Sequence, residues 1–164
     1  IRKVIGSDYL FTVSLHPISY KITSQAVAVC DWISFQCYGP KATEFPYENY
    51  TSHLQAAVNY GIPAEKLVPG LPFYGTKNWN SGGSEGTAAY FDMVKEGSVK
   101  NTIDDQVIHK GTTYYLNSVS TIQKKVRYAL DRYMHGVMSW DLATDCDYDN
   151  SLSLQRAVVN EIKK

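Results

Sequence analysis

Three apolar runs that end in aromatic or hydrogen-bonding residues constrain this chain more than any other feature. DWISFQCYG (Asp31 to Gly39) closes on Gln36 and Tyr38. KLVPGLPFYG (Lys66 to Gly75) closes on Tyr74, and HGVMSWDLATD (His135 to Asp145) on Trp140 and Asp141. An unbroken apolar run suits a strand buried on both faces, and such strands belong to parallel sheets covered by helices. A fourth run, Leu10 to Leu15, is stopped by Pro17, which cannot donate to a ladder. Strands are therefore predicted over Leu10–Leu15, Trp32–Tyr38, Leu67–Tyr74 and Val137–Trp140, adjacent and parallel in that order. In a parallel α/β barrel the C-terminal strand ends build the site, which is where these polar and aromatic groups fall.

Helix signals separate the runs. Ser19 to Val29 has room for a short helix. Thr51 to Tyr60 pairs Ser52 with Gln55 as a capping box, shows Leu54, Ala57 and Val58 on one face, and stops at Gly61. Thr121 to Met134 repeats the pattern with Ser120 and Gln123, with Gly136 as the stop. Ser151 to Ile162 is the last helix. Pro40 to Tyr50 reads as loop. The stretch 76–117 is long, polar and glycine-rich (NSGGSEG over Asn80 to Gly86), and reads as an insertion. Within it a short helix over Ala88–Lys95 and a hairpin over Val107–Leu116, turning at Lys110-Gly111, are expected.

Composition excludes several classes. The chain has 164 residues and a net charge of zero, and no Lys/Arg cluster, so nucleic acid is not an expected partner. No apolar run approaches the roughly 20 residues of a membrane span. Three cysteines (Cys30, Cys37, Cys146) give neither a disulfide framework nor a CxxC metal spacing, and read as buried free thiols. His16, His53, His109 and His135 read as ordinary surface or loop histidines. Asp145 to Asp149 (DCDYD) reads as a polar loop and helix cap, because a calcium loop would need Gly at Asn150 and Glu at Arg156. No metal and no cofactor is called for.

The strand ends and the stretch YYLNSVSTIQKKVRYALDRYMHGVMSWDLATD together resemble glycoside hydrolase family 18, the chitinases and endo-β-N-acetylglucosaminidases. The resemblance runs from about Leu10 to Ile162. It implies that the four runs are strands 5 to 8, the C-terminal half of a (β/α)8 TIM barrel, with residues 76–117 a short insertion between strand 7 and its helix. On this view residues 1–164 are a partial catalytic domain, which a complete barrel of about 250 residues would exceed. The other half of the barrel, in the same longer chain or a partner fragment, is the expected partner, because half a barrel leaves parallel edges unpaired.

The implied chemistry is hydrolysis of β-1,4-linked N-acetylglucosamine glycans by a retaining, substrate-assisted mechanism, an exception to the two-carboxylate rule. Tyr38 matches the family's sixth-strand tyrosine, whose hydroxyl meets the substrate's acetamido group, and is the catalytic candidate. Trp140 matches the eighth-strand tryptophan that floors the cleaved subsite. Gln36, Tyr74, Asp141 and Trp79 are the further substrate-binding candidates. Each also has a plain structural reading: a satisfied core tyrosine, a packing tryptophan, a rim residue, a structural hydrogen bond. Two departures stand out. Gly39 replaces the Asp that follows the tyrosine in many members, and the family's Asp-x-x-Asp-x-Asp-x-Glu motif is absent. A catalytically inactive carbohydrate-binding relative is therefore the alternative. The resemblance implies a secreted or cell-envelope location.

Overall fold

A computed structural model describes residues 1–39, 41–80 and 84–164. Residues 81–83 of the glycine-rich stretch, and Pro40, lie outside the described residues. After a one-turn helix α1 (Arg2–Ile5) come β1 (Thr12–Leu15), α2 (Ser24–Val29), β2 (Trp32–Phe35), α3 (Tyr47–Tyr60) and β3 (Leu67–Pro72). Then follow β4 (Tyr74–Thr76), β5 (Thr87–Ala89), α4 (Tyr90–Lys95), β6 (Gln106–His109) and β7 (Thr112–Tyr115). The chain closes with α5 (Val119–Asp131), β8 (Met138–Trp140) and α6 (Leu154–Ile162).

Strands β1, β2, β3 and β8 form one sheet in that order, all parallel, as the apolar runs require. β3 has strands on both sides and every one of its residues is buried. β1 has a single neighbour, and its Thr12 and Ser14 are exposed while Val13 and Leu15 pack on the core. The sheet does not close: among the described residues β1 and β8 each pair with one strand only. Ile33, Phe35, Leu67 and Leu71, all fully buried, join Leu54 and Ala57 of α3, Ile122 and Val126 of α5, and Leu154 and Ala157 of α6 in one core. Truncating Leu54 or Leu71 to alanine removes a wholly buried side chain and costs about 2–5 kcal/mol.

The strands end sooner than the apolar runs suggest. β2 stops at Phe35 and β3 at Pro72; Gln36 N–H still donates to Leu15 O and Phe73 N–H to Trp140 O, and the residues that follow form the sheet's upper rim. Tyr74 does not end β3; it opens β4, which belongs to a second, antiparallel sheet ordered β5-β4-β7-β6. That sheet contains the expected hairpin, turned by Lys110 (φ 50) and Gly111 (φ 75), and two consecutive positive φ values are what a type I′ turn demands. The expected helix over Ala88–Lys95 begins later, at Tyr90, because Ala88 and Ala89 pair with Gly75 and Tyr74.

Helix starts differ for identifiable reasons. α3 begins at Tyr47, after Pro46, well before the Ser52–Gln55 pair, because Tyr50 lies on the same buried stripe as Leu54 and Ala57 and extends it by a turn. Its stop is as expected: Gly61 adopts φ 111 and Ile62 N–H donates to Ala57. α5 is capped by Ser118, not Ser120. The Ser118 hydroxyl accepts from Thr121 N–H, and the Asp105 carboxylate accepts from Ser118 N–H at 2.7 Å. Its end is Tyr133 at φ 53, not Gly136; that side chain is exposed, so no packing opposes the left-handed residue. α6 starts at Leu154, where Asp145 accepts from Leu154 N–H, Gln155 N–H and the Ser153 hydroxyl, so the acidic string does cap a helix.

Two further expectations need correction. His109 is buried, not a surface residue; its Nδ1 lies 3.0 Å from the Ser98 hydroxyl at the end of β6. Cys30 and Cys37 are buried free thiols, but Cys146 is partly exposed. Among the described residues no helix is long and apolar enough to cross a membrane, and no three His, Cys, Asp or Glu side chains gather as metal ligands.

Candidate active site

The rim residues of the parallel sheet meet at its C-terminal end. A cavity of about 280 Å³ is lined by His16, Gln36, Tyr38, Gly39, Tyr74 and Trp140. A second of about 410 Å³ shares Tyr74 and Trp140 and adds Thr87 to Ala89, Asp141 and Thr144. The two shared aromatics make these one cleft. Gln36, Tyr38, Tyr74, Trp140 and Asp141 are thus brought together; Trp79 does not line this cleft.

Tyr38 lies two residues beyond Gln36 and three beyond the end of β2. Its ring crosses β3 at Gly70, where a Cβ would stand 2.4 Å from Tyr38 Cε1, so only glycine lets the ring lie there. Its hydroxyl donates to Met138 Sδ at 3.6 Å, a weak acceptor, and leaves the oxygen's lone pairs uncommitted. Burial, with a smaller contribution from Cys37, pushes the Tyr38 phenol up to about 12, so it is a neutral donor throughout the physiological range. The Trp140 ring lies nearly parallel to it, 15° off plane with centroids 6.4 Å apart. Tyr38 is only 6% exposed while Trp140 is 55% exposed, so the indole presents an open face at the mouth.

Surrounding groups fix these two. His16 Nε2 lies 3.0 Å from the Tyr38 carbonyl, and the Tyr74 hydroxyl donates to Gly39 O at 2.7 Å. Gln36 Nε2 donates to the Ser14 hydroxyl of β1 at 2.8 Å, which leaves its second N–H and its amide oxygen for a ligand. The Thr144 hydroxyl donates within reach of both Phe73 O (2.6 Å) and Asp141 O (2.8 Å), closing the turn after β8. The Trp140–Asp141 peptide is cis. Asp141 Oδ1 is shielded from solvent and has no donor among the described residues. His16, expected as an ordinary surface or loop histidine, instead lines the cleft, and Ser14, Met138 and Gly70 have no role in the sequence reading. His16 is legible because it follows the first apolar run directly, at the same end of the sheet as Gln36 and Tyr38; Gly70 is not, because only the packed fold shows what would strike its Cβ.

The cleft offers flat aromatic surface, neutral hydrogen-bonding groups and a single carboxylate. Flat apolar faces bordered by directional polar groups suit a neutral, ring-bearing, hydroxyl-rich ligand better than an ionic one. Fold and cleft together define a parallel α/β protein with an aromatic-lined cleft at its strand C-termini. The chain belongs to the glycosyl hydrolases family 18, whose family model matches residues 6–145. It is 25% identical over 194 residues to a class V chitinase of Arabidopsis thaliana, covering 95% of this chain and 50% of that protein. A chitinase crystal structure from Rhizomucor miehei superposes with a TM-score of 0.76 at 18% identity, over 98% of this chain and 63% of that one. The chitinase-like agglutinin of Robinia pseudoacacia superposes with a TM-score of 0.70 at 20% identity, over 98% and 57%. At such identities the structural likeness is one of fold. The chain spans about half the length of the curated relative that it matches.

Proposed function

We propose that this chain is part of a glycosidase that hydrolyses β-1,4-linked N-acetylglucosamine glycans by a substrate-assisted, retaining route. The observation that supports this best is the pairing of Tyr38 with Trp140 at the parallel strand ends, one ring buried with its hydroxyl, the other open. Trp140 would support the apolar face of the sugar whose bond is cut. The acetamido carbonyl oxygen of that sugar attacks its own anomeric carbon, the glycosidic C–O bond breaks, and an oxazolinium ion forms. The Tyr38 hydroxyl donates to the acetamido group and holds it in line. Water then opens the ion with retained configuration. The leaving oxygen takes its proton from a carboxylic acid that this chain does not supply, since the family's acidic motif is absent from it.

On this reading β1, β2, β3 and β8 are barrel strands 5 to 8, and the other half of the barrel pairs with the open edges of β1 and β8. Exposed Val4, Tyr9 and Leu10, which precede β1 in the chain, add apolar surface for such a partner. A glycan of this kind lies outside the cell or in its envelope, so the protein would be secreted or retained there. The test is hydrolysis of a chromogenic chitobiose or chitotriose by the full-length protein that carries this chain. Turnover that falls in Tyr38→Phe supports the reading; turnover unchanged by Tyr38→Phe and Trp140→Ala refutes it.

A carbohydrate-binding relative without turnover is the second reading. It is supported by Asp141 being the one carboxylate that lines the described cleft, and by the likeness of fold to an agglutinin. Binding of chitotriose without hydrolysis in the full-length protein would select it.

A further inference from the structure

Trp79 stands apart from the cleft, in a separate groove of about 360 Å³ between the antiparallel sheet and the N-terminal ends of α3 and α5. The groove is large enough for a ligand, near the lower end of the roughly 300–1,000 Å³ common for small-molecule sites. Its position is built, not incidental. Ala42 N–H donates to Asn78 O at 2.7 Å and Thr43 N–H to Trp79 O at 3.3 Å, which pins the Trp79 loop along the turn after β2. The indole is 43% exposed and tilted 50° against the Tyr115 ring, centroids 4.7 Å apart, so the pair forms an open aromatic wedge. Phe45 lines the groove and meets Tyr74 of the cleft edge-on at 5.4 Å, so the groove sits behind the cleft wall.

The polar groups of the groove define its ligand. Glu48, Gln106 and Lys124 line it, and none of their side chains makes a hydrogen bond or ion pair among the described residues. Asp105 is committed to Ser118 N–H and the Thr121 hydroxyl. One cation beside two carboxylates gives no excess positive charge, so an anionic ligand such as a nucleotide is disfavoured. An aromatic wedge flanked by an amide, an ammonium and a carboxylate suits the apolar face, hydroxyls and acetamido group of a sugar ring.

We propose that this groove is a second saccharide site, which holds a segment of the same N-acetylglucosamine polymer away from the cleft. The identity of the sugar rests on the proposed function; the site itself does not. A polymer held at two points dissociates more slowly than one held at one, through the raised local concentration of the second segment. The Phe45–Tyr74 pair separates the groove from the cleft, so the groove's contribution is expected on polymer and not on a chitotriose held in the cleft.

The test compares colloidal chitin with chitotriose, using the full-length protein that carries this chain. Trp79→Ala is expected to weaken retention on colloidal chitin about 2- to 12-fold, the worth of an aromatic contact of about 0.5–1.5 kcal/mol. Because that change could disturb the loop, Gln106→Ala with Lys124→Ala provides a second variant at exposed positions. It should weaken retention in the same direction while chitotriose turnover stays at the wild-type value. Wild-type retention in both variants overturns the proposal. So does an equal loss of chitotriose turnover in the Gln106/Lys124 variant, which would make the groove part of the cleft. A protein that ignores chitotriose yet loses chitin retention in these variants would refute the cleft reading and leave the groove standing.

Discussion

The two sheets present aromatic rings in different ways. At the end of the parallel sheet the Tyr38 and Trp140 rings lie nearly parallel and offset, Tyr38 at the buried floor of the cleft and Trp140 open at its mouth. Beside the antiparallel sheet Trp79 and Tyr115 meet as an open wedge. The difference follows from strand direction. Parallel strands all deliver their last residues to one end, so side chains from distant parts of the sequence converge on one rim. Antiparallel strands send their ends both ways, and what they offer is a face or an edge. Lys125 ties the two regions together. Its ammonium, fully buried, donates to Phe45 O and Asn117 Oδ1 at 2.7 Å each, joining the loop after β2 to the segment after β7.

The sharpest way to break this comparison is to remove one hydroxyl on each side. Tyr38→Phe in the full-length protein should lower kcat on a chromogenic chitobiose by about 10²-fold, the scale for one lost donor to a charged or reacting oxygen. Tyr115→Phe should leave it unchanged. Equal losses would show that the two regions are one site.

Gly70→Ala comes next. The new Cβ would meet the Tyr38 ring at 2.4 Å, so the ring must move. Overpacking of this kind costs about 1–3 kcal/mol, read as a lower denaturant midpoint, and turnover should fall with it. Retained activity at reduced stability would show that the position of the Tyr38 ring is less strict than its packing suggests.

Lys125→Met probes the tie. Burial lowers the Lys125 ammonium to about 8, with Cys37, itself pushed up to about 12 by burial, acting in the opposite sense. An unfolded lysine titrates near ~10.4. Between these values the unfolded chain holds the proton that the folded chain has lost, so this group makes stability rise with pH from about 8 to ~10.4. Below about 8 both states are charged and the full cost of burying the charge is present. The stability difference between wild type and Lys125→Met, from urea melts, should therefore grow in favour of wild type across that window. A difference that is flat with pH would mean that Lys125 titrates normally.

The smallest effect is expected at the hairpin. Gly111→Ala forces a side chain onto φ 75 and should cost about 1 kcal/mol in thermal stability, with cleft turnover preserved. A loss of turnover would couple the hairpin to the cleft more tightly than Lys125 alone explains.

Residue order alone determined the parallel sheet and most of its rim. Continuous apolar runs can be buried only between covering layers, and a strand's direction then says which end its last residues occupy. That is why Gln36, Tyr38 and Trp140 were legible as neighbours although about a hundred residues separate Tyr38 from Trp140. Only the tertiary structure could decide where Tyr74 and Trp79 go. Tyr74 follows an apolar run without a break, but β5 offers it an antiparallel partner at Ala89 and β7 pairs with Thr76 of the same strand, and pairing energy from distant segments overrides the local pattern. Trp79 sits in a polar loop with no periodicity to read, and its place is set by two backbone hydrogen bonds to residues 42 and 43. The cap of α5 differs for a similar reason: Asp105, in a separate segment before β6, accepts from Ser118 N–H and the Thr121 hydroxyl, and such a contact leaves no local mark.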